Sequence, residues 1–139
     1  MNPLFHVLFQ KTRFISKDLN VVLKEYGLFA TQWTVLYCVR HWEEVSLTDI
    51  WQYLHVEAPT ITRTVNRMEE LGWLQTMPGK DRREKIVRLT EKAEKEFPAI
   101  EQSIIEFEQE FLTQLSKEEQ ETLLALLQKL DKKEGNRFA

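Results

Sequence analysis

Apolar residues recur at helical spacing along most of the chain. Leu4, Val7, Leu8, Ile15, Leu19, Val22, Leu23 and Tyr26 predict a long first helix over 3–26, stopped by Gly27. Thr31 is the expected N-cap of a second helix, about 32–42. One face of it carries Val35, Cys38, Val39 and Trp42, and another carries Trp33, Tyr37 and His41. A helix this apolar around its circumference is expected in the middle of a fold.

The central third has a different rhythm. Ser46, with Asp49 three residues on, forms a capping box for a short helix bearing Leu47, Ile50, Trp51 and Leu54. His55-Val56-Glu57 read as a turn. A fourth helix follows from about Ala58 to Leu71, with Ile61, Val65, Met68 and Leu71 on one face, Pro59 in its first turn and Gly72 as its stop. Trp73–Met77 and Lys85–Leu89 then read as two strands around the polar, turn-rich segment Pro78–Glu84, a β-hairpin.

Helical spacing resumes after Thr90, a further N-cap. Phe97, Ile100, Ile104, Phe107, Phe111 and Leu115 form a near-heptad seam, with a kink or restart expected at Pro98. Ser116 and Glu119 make another capping box, opening a helix with Leu123, Leu126, Leu127 and Leu130 on one face. Residues 132–139 are expected to fray. The fold class that follows is mainly α with a small β-wing.

Composition narrows the function classes. The 139 residues fit one domain, able to bury a core without metal or disulfide. Low glycine and proline counts, four each, suit a helical chain. The single cysteine, Cys38, excludes an internal disulfide and suits a reducing compartment. No secretory signal or apolar run of membrane-spanning length is found, so a cytoplasmic protein without membrane contact is expected. His6, His41 and His55 are dispersed and show no metal-ligand spacing. There is no glycine-rich phosphate loop and no nucleophile–base pattern, so neither enzyme activity nor a cofactor is expected.

Net charge is −3, which looks unsuited to nucleic acid, but its distribution is uneven. Residues 58–90 carry seven basic residues (Arg63, Arg67, Lys80, Arg82, Arg83, Lys85 and Arg88) against four acidic ones. Residues 91–139 carry seven basic against twelve acidic.

A short helix, a three-residue turn and a longer helix outline a helix-turn-helix. The second helix would present Thr60, Thr62, Arg63, Asn66 and Arg67 outward while Ile61, Val65 and Met68 face inward. Arg can bind guanine O6 and N7, Asn can bind adenine, and Thr can meet a thymine methyl. An ordinary polar helix face would look similar. The basic hairpin tip immediately downstream favours the nucleic-acid reading, since a wing can place Arg in a minor groove or on phosphate. Asp81, two residues before Arg83, is placed to orient its guanidinium.

The run Ser46–Thr90 resembles the winged helix-turn-helix of the MarR family of bacterial transcriptional regulators. The resemblance is carried by Leu47-Thr48-Asp49-Ile50, Thr60-Ile61-Thr62-Arg63-Thr64-Val65 and Met68-Glu69-Glu70-Leu71-Gly72-Trp73-Leu74. Its most specific part is the wing, Asp81-Arg82-Arg83-Glu84-Lys85 with Val87-Arg88-Leu89-Thr90. Ala93 departs from a glycine common in the family. The resemblance implies a DNA-binding lobe over 28–90 and dimerisation helices over 1–27 and 91–139. It also implies a homodimer on double-stranded DNA at a palindromic operator, acting as a repressor released by a small-molecule or other effector. DNA contacts are then expected from Pro59, Thr60, Thr62, Arg63, Asn66 and Arg67 on the reading helix. Lys80, Asp81, Arg82, Arg83 and Lys85 would supply those of the wing. Effectors in the family often bind between dimerisation helices and DNA-binding lobe, where Phe9, Arg13, Trp33, Tyr37, His41 and Trp42 are candidates, although such an aromatic stripe is more often plain core. Cys38 is expected to be a buried, inert thiol. The competing reading is a winged-helix protein-interaction module that does not bind DNA.

Overall fold

The computed structural model describes residues 1–81 and 83–130. Arg82 and the expected frayed tail, 132–139, lie outside the described residues. The elements run α1 (Pro3–Leu23), α2 (Ala30–Trp42), β1 (Val45–Ser46), α3 (Leu47–Leu54), α4 (Ala58–Glu70), β2 (Leu74–Pro78), β3 (Lys85–Leu89), α5 (Glu91–Phe111) and α6 (Lys117–Gln128). A 3-10 turn, Lys24–Tyr26, completes the first helix, and Gly27 ends it in the left-handed region at φ 72°.

Three caps behave as their side chains dictate. Ser46 Oγ accepts from Asp49 N at 3.0 Å and the Asp49 carboxylate accepts from Ser46 N at 3.1 Å. Ser116 and Glu119 exchange the same pair of bonds, at 3.1 and 2.9 Å. Thr90 Oγ1 accepts from Ala93 N at 3.1 Å. Each satisfies helix N–H groups that have no partner within the helix.

The sheet has the order β1-β3-β2, all antiparallel. The wing hairpin pairs Leu74 with Leu89 and Pro78 with Lys85. Its third strand, β1, was not expected from sequence, and pairs Val45 with Val87 and Ser46 with Ile86 at the root of the wing. Leu74, Val87 and Leu89 turn into the core with Ile50 of α3, Ile61, Val65 and Met68 of α4, and Ile100 of α5. This packing mounts α4 and the wing on one body.

Four other features of the helices differ from expectation. Helix α2 begins at Ala30 with Phe29 as its cap residue, not Thr31. Its first N–H groups find one distant and one local acceptor: Asn20 Oδ1, ten residues back, takes Ala30 N at 2.7 Å, and Gln32 Oε1 takes Phe29 N at 3.0 Å. The same helix is not buried all round, since Tyr37 and His41 are exposed. Helix α5 runs unbroken through Pro98, so no restart occurs, and it stops at Phe111, short of Leu115.

The core draws on the lobe far more than on the terminal helices. Of α1 only Leu23 is buried, and α6 has no buried residue. Phe5, Phe9, Phe14 and Val21 on α1, and Leu123, Leu124, Leu126 and Leu127 on α6, stand open.

Candidate nucleic-acid interface

Helix α4 is sharply divided into an apolar and a polar side. Ile61, Val65 and Met68 are at most 3% exposed, so the opposite face is fixed toward solvent. Pro59, Thr60, Arg63, Asn66 and Arg67 are on that exposed side. Pro59 sits in the first turn, where its missing N–H is not needed. Glu57 O receives the N–H of Thr60 and Ile61, tightening the helix start. The preceding turn is closed by His55 in the left-handed region, φ 55°.

The polar residues are not equivalent. Thr62, expected outward, is half-buried, and its hydroxyl donates to Ala58 O at 3.0 Å. Arg63 leans on Thr60, donating to its Oγ1 at 3.4 Å. Arg67 is held by Glu70, Nη1 to Oε2 at 3.0 Å, so its charge is already part-neutralised. Asn66 is exposed beside them.

The wing holds a second set of cations. Lys80, Arg83 and Lys85 are exposed, as is Asp81. Asp81 Oδ1 accepts from the main-chain N–H of Arg83 at 3.2 Å, and Asp81 O accepts from Glu84 N at 2.9 Å. The aspartate therefore shapes the turn and does not orient the Arg83 guanidinium, because the short side chain meets the nearer backbone donor first. At the wing's root Arg88 donates to Glu44 at 3.0 Å, beside a groove of about 580 Å³ whose lining also includes Asp49, Met77 and Lys80. Glu44 was not singled out in the sequence, because its partner lies 44 residues away.

The candidate effector residues separate into groups. Trp33 is 8% exposed and stacks on Phe97 with ring centroids 5.4 Å apart. Tyr37 and His41 stack at 5.6 Å, and Trp42 joins both and Tyr53 through edge contacts. Phe9 and Arg13 lie exposed on α1. Cys38 is 1% exposed, and burial pushes its thiol up to about 11, so at neutral pH it is protonated. Among the described residues no cluster of His, Cys, Asp and Glu is arranged to hold a metal ion, and no helix is long and apolar enough to cross a membrane.

Comparison with known proteins agrees with this geometry. Residues 28–93 match a family model described as a winged helix DNA-binding domain. The chain is 45% identical over 118 residues to YwoH of Bacillus subtilis (strain 168), an uncharacterised HTH-type transcriptional regulator, covering 85% of this chain and 86% of that protein. A MarR mutant from E. coli, complexed with operator DNA, superposes with a TM-score of 0.85 at 25% identity, covering 93% of this chain and 94% of the other. The chain belongs to the MarR family. The transcriptional regulator PA4135 shares the fold, with a TM-score of 0.86 at 24% identity over 96% of this chain and 99% of its own. This MarR-family protein is a DNA-binding transcriptional regulator.

Proposed function

We propose that this regulator binds a palindromic operator as a homodimer, with residues 28–90 as the DNA-binding lobe and the helices of 1–27 and 91–139 joining two copies. The observation that carries the reading is the exposed row Thr60, Arg63, Asn66 and Arg67 on α4, backed by a fully buried row, with Arg83 on a wing mounted on the same core. The E. coli MarR mutant complexed with operator DNA has the same fold, which supports placing α4 in the major groove. Dimerisation is supported by the open apolar rows of α1 and α6, which are larger than scattered surface residues warrant. A two-fold protein axis requires a two-fold DNA site, with reading helices about 34 Å apart.

Base reading falls to Arg63 and Asn66, with Thr60 beside them. Arg67 and wing residues Lys80, Arg83 and Lys85 hold phosphate; Arg83 is also the candidate for a minor groove. Arg82 is carried in the same role from the wing motif. Asp81 serves by setting the turn, and Pro59 and Thr62 by shaping the helix start. The protein acts as a cytoplasmic repressor, without enzyme activity. It is released by an effector, whose candidate contacts are Tyr37, His41 and Trp42 on α2 and, apart from them, Phe9 and Arg13 on α1; Trp33 supports the α2 group from within the core.

Selection of binding sites from a random duplex pool tests the reading. It expects an inverted repeat for the wild type. For Arg63→Ala and Asn66→Ala it expects relaxed preference at particular positions, each change costing about 1–3 kcal/mol at the cognate site. Affinity lost evenly across all sequences would make these residues backbone clamps and overturn the assignment of base reading.

A further inference from the structure

The segment that leaves α4, residues 71–73, passes beside the start of α5, and its three main-chain carbonyls are taken by Thr90 and Lys92. Thr90 Oγ1 donates to Gly72 O at 2.6 Å while accepting from Ala93 N at 3.1 Å. Thr90 N donates to Trp73 O at 3.1 Å. Lys92 Nζ donates to Leu71 O at 3.3 Å and sits over the Trp73 ring, 4.9 Å from its centroid. The Thr90 hydroxyl thus points its one proton at Gly72 O, with Trp73 O further off at 3.3 Å, just past the end of the reading helix, and gives a lone pair to the first turn of α5. Lys92 adds a positive charge at the C-terminal end of α4, where the helix dipole favours it. Gly72, at φ 84°, turns the chain out of α4 toward β2.

An ordinary N-cap needs only the bond to Ala93. The bond to Gly72 O is shorter and joins two elements 18 residues apart. Such a bond fixes the angle between α4 and α5. Because α5 carries the chain from the lobe toward α6, that angle sets where each reading helix stands relative to the two-fold axis.

We propose that Thr90, with Lys92, is a positioning residue for DNA recognition: it sets the separation and phase of the two reading helices, and so the half-site spacing the regulator accepts. This rests on the homodimer reading above. One base pair of extra spacing displaces a half-site by about 3.4 Å and turns it by about 34°. A rigid corner rejects that change, whereas a loosened one absorbs it.

The test measures affinity of the full-length protein for its selected operator and for versions with one base pair added or removed at the centre. Wild type is expected to discriminate by about tenfold or more, the scale of a mismatch in a half-site. Thr90→Val keeps the shape and removes the hydroxyl, and discrimination should narrow to about threefold or less. Thr90→Ser restores the hydroxyl and should restore the discrimination. Sedimentation and thermal melting of each variant accompany the binding. A folded, dimeric Thr90→Val that still rejects altered spacing at the wild-type ratio overturns the proposal. If Thr90→Val does not fold, Lys92→Met decides in its place: narrowed discrimination supports the corner, and a wild-type ratio overturns it. A wild type that sediments as a monomer, or that ignores spacing, removes the dimer reading itself and the proposal with it.

Discussion

Arg83 and Arg67 make a controlled comparison of a free cation with a paired one. Arg83 is exposed, and its main-chain N–H, not its guanidinium, meets Asp81. Its charge is therefore available to a phosphate. Arg67 is bound to Glu70 at 3.0 Å, with both side chains about two-thirds exposed (60% and 67%). Truncating Arg83 leaves the Asp81 turn intact and should change stability by less than about 0.5 kcal/mol, as for other surface positions. On duplex DNA, one lost phosphate contact makes the slope of log K against log salt shallower by about 0.9. Over a fourfold rise in salt, from about 50 to about 200 mM, that slope difference amounts to about 3.5-fold. The affinity defect of Arg83→Ala should therefore be about 3.5 times larger at the low-salt end. Arg67→Ala should change the slope less, because Glu70 already part-neutralises the Arg67 charge in the wild type. Fluorescence anisotropy with a labelled operator duplex across this salt range measures both. An Arg83→Ala protein with native melting and an unaltered slope would refute the assignment of Arg83 to phosphate.

Met68 is 0% exposed beneath the reading helix, so Met68→Ala should cost about 2–5 kcal/mol and lower the melting temperature, read by circular dichroism. Ser46→Ala removes the acceptor for Asp49 N and should cost about 1 kcal/mol in chemical denaturation. The Cys38 thiol has an ordinary value of 9.0 and is raised to about 11 by burial, so the folded state holds its proton more tightly. Its contribution to stability is complete below pH 9 and is lost as pH rises toward 11. Denaturation from pH 8 to 11 should show a larger loss in wild type than in Cys38→Ala, which keeps the part due to the raised Tyr53, and alkylation of the native protein at pH 7 should be slow. Equal pH dependence in both proteins would show that burial of the thiol carries no linkage.

What was legible in the sequence was local. Ser46, Thr90 and Ser116 cap helices through atoms three residues away, and the polar row on α4 follows from a period that Ile61, Val65 and Met68 declare. Features with distant partners were not legible. Strand β1 is two residues long, and only its pairing with Val87 and Ile86 makes it a strand. The start of α2 depends on Asn20, ten residues back, so Thr31 looked like the better cap. Pro98 leaves α5 continuous, a case where packing of Phe97 and Ile100 overrides local preference. Within the site, Thr62 shares the polar character of Thr60, but the helix turns its hydroxyl back to Ala58 O. The double role of Thr90 is hidden for the same reason, since its acceptor on Gly72 belongs to another element.

The uneven distribution of the core has a consequence for how such a regulator responds to its own concentration. Helix α6 has twelve residues, none of them buried, and four of its leucines lie open. An isolated helix of that length is marginal in water even with good caps, so the Ser116–Glu119 box cannot hold it alone. Its order then depends on a surface outside the chain, and the second copy offers one of matching character, the open phenylalanines of α1 and the leucines of α6 itself. In the proposed homodimer, association and ordering of the termini become one equilibrium, stabilised by mass action. The core beneath α4 and the wing takes Ile50, Val65, Met68 and Val87 from the lobe and Ile100 from α5 of the same chain, so it does not wait on that equilibrium. On this division of the chain, DNA reading is built into each subunit, whereas two-half-site affinity depends on how much dimer is present.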